Sequence, residues 1–234
     1  MKKKTKKNLH SKRFSELKEK INKEQTYPIE EAVKLVKETA TTKFDSTLEV
    51  AIKTGIDPKK SEQQIRSTVS LPHGTGKKIK IAVIAPEKDQ KEAKAAGASI
   101  VGGEELIEKI AKTQKVDFDI LITIPEMMKD LAKIAKILGP KGMMPNPKTD
   151  TVTPNVKKAV EELTKGRVSY KNDDTGNIHL ALGKASFDDQ KIIDNYQAFI
   201  DALNKIKPSS IKGTYLKNIT LSSSMGPGVK VQIN

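Results

Sequence analysis

Apolar positions recur with two different periods along this chain. Phe14, Leu17 and Ile21 fall at helical spacing, so residues 11–22 read as a helix. Pro28 opens a second helix over 29–40, with Glu30 and Glu31 in its first turn and Ala32, Val33, Leu35 and Val36 inward. From Thr47 the period drops to two. Leu48, Val50 and Ile52 alternate with Thr47, Glu49, Ala51 and Lys53, which predicts a half-buried strand. Gly55 and Asp57-Pro58 end it, and 65–71 forms another strand stopped by Pro72.

The pattern then changes. A compact apolar strand over 79–85 leads to a helix (87–96), a short strand (99–101), a helix (104–112), a strand (118–124) and a helix (126–138). Such alternation signals βαβ units around a buried parallel sheet. Two Gly/Pro-rich stretches bracket this block, one from Leu71 to Lys77 and one from Gly139 to Pro154. Beyond Pro154 the mixed pattern of the N-terminal segment returns. A helix over 156–165 ends at Gly166, and strands 167–171 and 178–184 are joined by Asn172-Asp173-Asp174-Thr175-Gly176-Asn177, which reads as a hairpin connection. A long helix over 188–206 turns Ile192, Ile193, Tyr196, Phe199, Ile200 and Leu203 inward, and strands 215–221 and 229–233 flank Met225-Gly226-Pro227-Gly228. The expected organisation is therefore discontinuous. Residues 14–71 plus 155–234 form one α+β domain, 72–154 an inserted α/β domain, and 1–13 an arm. Two chain crossings make a natural hinge.

Charge adds a partner class. Of 234 residues, 43 are Lys or Arg and 29 are Asp or Glu, a formal net charge of +14. That excess points to a polyanion, nucleic acid before an anionic membrane. Half of it, seven basic residues and no acid, lies in residues 1–13, while 14–70 carry ten of each sign. The arm reads either as a solubilising tail or as a segment that lies along phosphates. Only Arg13, Arg66 and Arg167 are arginines, so specificity must rest on shape, backbone and small polar groups more than on guanidinium forks. There is no Cys, hence no disulfide, thiolate nucleophile or Cys-ligated metal. No apolar run approaches the roughly 18 residues of a membrane span, and Lys12, Arg13, Glu16 and Lys18 interrupt any signal-peptide core. The chain is expected to be soluble and cytoplasmic.

Catalytic patterns are weak. Gly74-Thr75-Gly76-Lys77 lacks the first glycine of a phosphate loop and enters a strand rather than a helix. Gly102-Gly103 lies between a strand and a helix, where ordinary turn geometry is the commoner reading. His10, His73 and His179 share no ligand spacing, Asp117 and Asp119 have no accompanying base, and Ser222-Ser223-Ser224 has no nucleophile elbow. Met143-Met144, on a Gly/Pro loop, is expected to tuck under the domain. The rival to RNA binding is a nucleotide- or phosphate-ligand-binding α/β enzyme built on the inserted domain.

Several unusual segments occur together: Ala40-Thr41-Thr42-Lys43-Phe44-Asp45, Gly55-Ile56-Asp57-Pro58, Val69-Ser70-Leu71-Pro72-His73-Gly74, Leu138-Gly139-Pro140-Lys141-Gly142-Met143-Met144-Pro145-Asn146-Pro147-Lys148, the 172–179 segment, Gly183-Lys184-Ala185-Ser186-Phe187, and Ser224-Met225-Gly226-Pro227. In this order and spacing they resemble the bacterial large-subunit ribosomal protein L-one family, over nearly the whole chain. The resemblance implies a split, ferredoxin-like α+β domain from both chain ends with an inserted Rossmann-like domain. It implies a non-enzymatic, cofactor-free protein, a monomer within the large ribosomal subunit and not a membrane protein. Its partners would be the stalk helices of 23S rRNA, the exit-site tRNA whose release it assists, and its own operon mRNA, which it represses. Carried over by motif, the RNA-binding residues are Lys43, Phe44, Lys171, Asn172, Asp173, Thr175, Gly176, Lys184, Ser186, Ser224, Met225 and Gly226. Phe44 offers a flat apolar surface, the serines offer hydroxyls to phosphate or 2′-hydroxyl, and Gly226 admits close backbone approach. The chain departs from the family in two ways. It has serines where threonines commonly precede Met-Gly-Pro, and its arm is richer in lysine.

Overall fold

The computed structural model describes residues 11–22, 24–211 and 213–233, so most of the basic arm lies outside the described residues. The chain begins with helices α1 (Lys12–Glu19) and α2 (Ile29–Glu38), then strands β1 (Thr47–Thr54), β2 (Arg66–Ser70) and β3 (Ile81–Ile84). Next come α3 (Glu87–Ala95), β4 (Ile100–Gly102), α4 (Glu104–Thr113), β5 (Ile120–Thr123), α5 (Met128–Leu131), α6 (Ala135–Leu138) and α7 (Val156–Thr164). It closes with β6 (Arg167–Lys171), β7 (Asn177–Lys184), α8 (Asp189–Lys205), β8 (Leu216–Ser223) and β9 (Val229–Val231). There are two compact units, Arg66–Tyr170 and the two chain ends, Met1–Ile65 with Lys171–Asn234.

The inserted unit is larger than the Gly/Pro punctuation predicts. It takes in β2, α7 and β6, which the sequence pattern assigns to the end-to-end domain. The reason is packing. Val156, Ala159, Val160 and Leu163 of α7 share one buried cluster with Ile81, Val83, Ala93 and Ile122, so this helix covers one face of the parallel sheet. That sheet has the order β4-β3-β5. Ala82 and Ile84 face the other way, into a cluster with Ile107, Ile110, Leu131, Ile134 and Leu138. Met143 and Met144 are partly buried against that cluster, as the tucked reading of their loop expects. The helix predicted over 126–138 is broken into α5 and α6 by a 3-10 turn at Ala132–Ile134.

The end-to-end unit holds an antiparallel sheet of order β7-β1-β8-β9. Helix α8 carries the chain from β7 to β8 across the central β1, a split β-α-β arrangement. Alternation along β1 works as predicted: Leu48, Val50 and Ile52 are buried. With Ile178, Leu180, Ile219, Leu221, Val229 and Val231 they form the inward side, and α2 and α8 lie on the sheet. Removing a buried ring such as Phe199 of α8 would cost about 3–5 kcal/mol by the usual cavity penalty.

Two features depart from the expected pattern. First, β6 and β7 do not form a hairpin: β6 pairs with β2, β7 pairs with β1, and a single bridge, Asn172 to Ile178, closes the turn between them. Asn172 instead faces back to Ile65, whose N–H donates to its side-chain oxygen at 2.7 Å. Second, β7 carries a bulge. Leu48 opposes Gly183 while Glu49 opposes Ala181, which leaves Leu182 as the extra residue. Buried Asn195 of α8 donates its amide to the Leu182 carbonyl at 2.7 Å. The bulge changes parity. Leu182 and Gly183 are both buried, and Lys184, which strict alternation would aim into the core, lies on the outer side beside Thr47. Gly183 is glycine because a Cβ there would sit 2.9 Å from the Phe187 ring.

Candidate nucleic-acid interface

Three segments distant in sequence meet at one end of the antiparallel sheet. They are the loop before β1, the end of β7 with its following turn, and the end of β8. Thr47 opposes Lys184 across one edge of β1, and Leu48 opposes Ser223 across the other. The Lys184 ammonium donates to Thr47 Oγ1 at 3.0 Å. Asp45 accepts from both the backbone N–H of Ser186, at 3.2 Å, and its hydroxyl, at 2.9 Å. The Ser224 N–H donates to the Thr47 carbonyl at 2.9 Å, and Ser224 Oγ accepts from the Thr47 N–H at 3.2 Å. This polar frame carries two bare apolar groups. Phe44 is 56% exposed and Met225 70%, against a background in which large hydrophobic side chains are mostly buried.

Met225 occupies the third position of a turn closed by the Gly226 N–H to the Ser223 carbonyl at 2.8 Å. Its φ is +63°, a left-handed conformation in which a side chain carries strain. Arg13 spans the rim, donating to the Met225 carbonyl at 2.9 Å and to Thr41 Oγ1 at 3.2 Å. Gly226 admits no side chain, since a Cβ would meet Ser223 Oγ at 2.1 Å. That Ser223 hydroxyl is buried without a hydrogen-bond partner.

The remaining carried-over residues lie at the opposite end. Register places Lys53 of β1 against Asn177, six residues beyond Thr47 and so roughly 20 Å along the strand. There the 172–176 turn is held by its own side chains. Asp173 accepts from the Asn177 N–H at 2.7 Å, from the Asn177 amide at 2.9 Å and from the Thr175 N–H and hydroxyl, each at 2.9 Å. These donors, the Asn177 N–H foremost, hold its carboxyl well below the usual carboxylate range. The Gly176 carbonyl accepts from the Thr54 hydroxyl at 2.6 Å and the Thr175 carbonyl from the Lys53 ammonium at 2.5 Å. Lys171, Asp174 and Thr175 are exposed and Asn172 is half-buried.

Between the two ends runs the outer face of the sheet. Ala51 lies between His179 and Thr220, Glu49 between Ala181 and Ser222, and Lys53 between Asn177 and Asn218. Glu49, His179 and Asn218 are exposed. Sequence reasoning singles out none of Arg13, Asp45, Thr47, Glu49 or Asn218 as site residues. For Thr47, Glu49 and Asn218 the outward parity of the strand pattern is the available signal, and for Asp45 its place in the 40–45 segment; for Arg13 no local signal exists.

The enzyme rival finds little support. Gly74 lies against Gly166, where a Cβ would come within 2.6 Å of the Gly74 Cα, so these glycines serve close backbone packing. Lys77 is paired to Asp119 at 2.8 Å, and Asp119 also accepts from the Lys80 N–H at 3.0 Å. That pairing, with Lys77 the leading cause, lowers the Asp119 carboxyl below its ordinary value. Beside Gly103 the Gln90 amide donates to the Ala85 carbonyl at 2.9 Å. Among the described residues no group of three or more His, Asp or Glu side chains could hold a metal ion, and no helix is long and apolar enough to cross a membrane.

Residues 36–227 match the family described as Ribosomal protein L1p/L10e. The chain is 54% identical over 222 residues to the large ribosomal subunit protein uL1 of Mycoplasma capricolum subsp. capricolum, covering 95% of this chain and 98% of that protein. It is 50% identical over 222 residues to the uL1 protein of Thermosipho africanus, covering 95% and 96% respectively. Mesoplasma florum uL1 is 50% identical over 224 residues, covering 96% of this chain and 98% of that one. On the extent of this match, and with a two-unit α/β fold in agreement, the chain belongs to the ribosomal protein L1p/L10e family and is not an enzyme.

Proposed function

We propose that this protein is a structural constituent of the large ribosomal subunit, in the cytoplasm, where it binds the stalk helices of 23S rRNA as a monomer. The reading is supported by the family and by relatives named as large-subunit proteins. The observation that carries it to a surface is the meeting of three separate segments around exposed Phe44 and left-handed Met225. Phe44 and Met225 supply flat and adaptable apolar contact to ribose or base. Lys43 and Lys184 supply charge to phosphate.

The hydroxyls divide by role. The Ser186 hydroxyl donates to Asp45, so toward RNA it acts as an acceptor, suited to a 2′-hydroxyl rather than to phosphate. Thr47 Oγ1 accepts from Lys184, which leaves its own proton free to donate to phosphate. Lys171 and the 172–176 turn border the far side of the same sheet face, so an RNA that lies along β1 reaches both ends. Assistance to exit-site tRNA release is part of this proposal, and so is repression of the protein's own operon mRNA, through an mRNA element that reproduces the rRNA stalk site.

A gel-shift titration with the stalk rRNA fragment tests it. Binding in the nanomolar range that weakens with salt is the expected result. Equal affinity for an unrelated RNA hairpin would overturn the assignment. For autoregulation, a reporter fused to the operon leader should be repressed by the wild-type chain and released by Met225→Ala.

A further inference from the structure

We propose that Arg13 is a positioning residue of the RNA surface, acting as a strut that sets the Met225 turn rather than as a phosphate contact. The inference rests on the RNA reading above and goes beyond it. Helix α1 is anchored by buried Leu17, with Ile21 buried just beyond its end, and capped by Ser11, whose hydroxyl accepts from the Phe14 N–H at 3.3 Å. That anchorage fixes Arg13 near the start of the helix. From there its guanidinium joins two loops that present the bare apolar groups. One nitrogen donates to the Met225 carbonyl at 2.9 Å, and another to Thr41 Oγ1 at 3.2 Å, three residues before Phe44.

A fork with two separated donors suits this bridging, whereas an ammonium reaches one acceptor well. The carbonyl it holds belongs to the residue at φ +63°, whose conformation is the most costly in the surface. Without the strut the turn can relax, and Met225 would spend part of its time outside the binding geometry. Affinity falls by the fraction of competent protein.

Arg13→Gln, Arg13→Lys and Thr41→Val in the full chain are titrated with the stalk rRNA fragment at several salt concentrations, with thermal melting as a folding control. Arg13→Gln is expected to weaken binding about 5- to 20-fold, chiefly through faster dissociation, with the slope of log affinity against log salt unchanged. Arg13→Lys should recover only a small part of the loss, and Thr41→Val should lose about twofold. Methyl NMR of the free protein should show the Met225 resonance shifted or broadened in Arg13→Gln. A salt slope smaller by about one would mean Arg13 contacts a phosphate and would overturn the proposal. Full recovery by Arg13→Lys, or an unmoved Met225 resonance, would overturn it as well. Wild-type chain that fails to bind the fragment would remove the RNA reading and this proposal together; wild-type binding matched by Arg13→Gln removes the strut alone.

Discussion

The two ends of the antiparallel sheet are built from similar residue types and use them in opposite ways. At the Asn172–Gly176 end the hydrogen-bonding capacity is spent inside the turn: Asp173 alone accepts four bonds from Thr175 and Asn177. At the Phe44 end the frame is also bonded, yet it leaves two large apolar groups bare and one of them in a strained conformation. A saturated turn is a stable piece of scaffold. A bare, strained one has unused contact area and is the better candidate for recognition. The same sequence resemblance nominates both ends, and the physical difference ranks them.

The comparison breaks or sharpens through four sets of variants. Phe44→Ala and Met225→Ala should have the largest effect, each weakening stalk-RNA binding by about 1–3 kcal/mol with little change in melting temperature. Wild-type affinity in both would dissolve the ranking. Asp173→Ala should do the reverse, lowering the melting temperature at neutral pH while changing affinity less than about threefold. Its pH dependence has a definite sign. A carboxyl held below its ordinary value contributes stability that is fully present above about pH 4 and is lost as the pH falls toward the folded value. Asp173→Asn should therefore flatten the fall of melting temperature in that acid range, measured by circular dichroism. Ser186→Ala comes third, with a loss of about 0.5–1.5 kcal/mol in RNA affinity from one acceptor. Removal of residues 1–8 should be mildest in specificity: the salt slope flattens and discrimination between RNAs survives. A truncated chain that no longer tells the stalk fragment from another hairpin would place recognition in the arm and not at either end of the sheet.

Much of the fold is readable from periodicity, because amphipathic helices and alternating strands report their own buried side. β1 and α8 emerge within a residue or so of their expected ranges. Domain boundaries do not emerge as cleanly. Pro154 punctuates the chain before α7, but which sheet α7 covers depends on partners such as Val83 and Ala93, some seventy residues nearer the N-terminus. The site divides in the same manner. Phe44, Met225 and Gly226 carry the family resemblance, so the motif nominates them. Arg13 reaches a carbonyl 212 residues away, a pairing no local pattern encodes. Gly183, a glycine inside a strand pattern, is the one local mark of the bulge.

The bulge makes the outer surface answerable to the inner layer. Lys184 faces Thr47 only because one extra residue is accommodated at Leu182, and that accommodation leans on an amide supplied from the helix on the far side of the sheet. A fault at Asn195 would thus travel outward as a one-residue slip in address, delivering a lysine to the wrong side while every residue of the proposed RNA surface keeps its identity. Loss of the proposed recognition would then originate in the helix layer beneath the sheet and not at the surface itself.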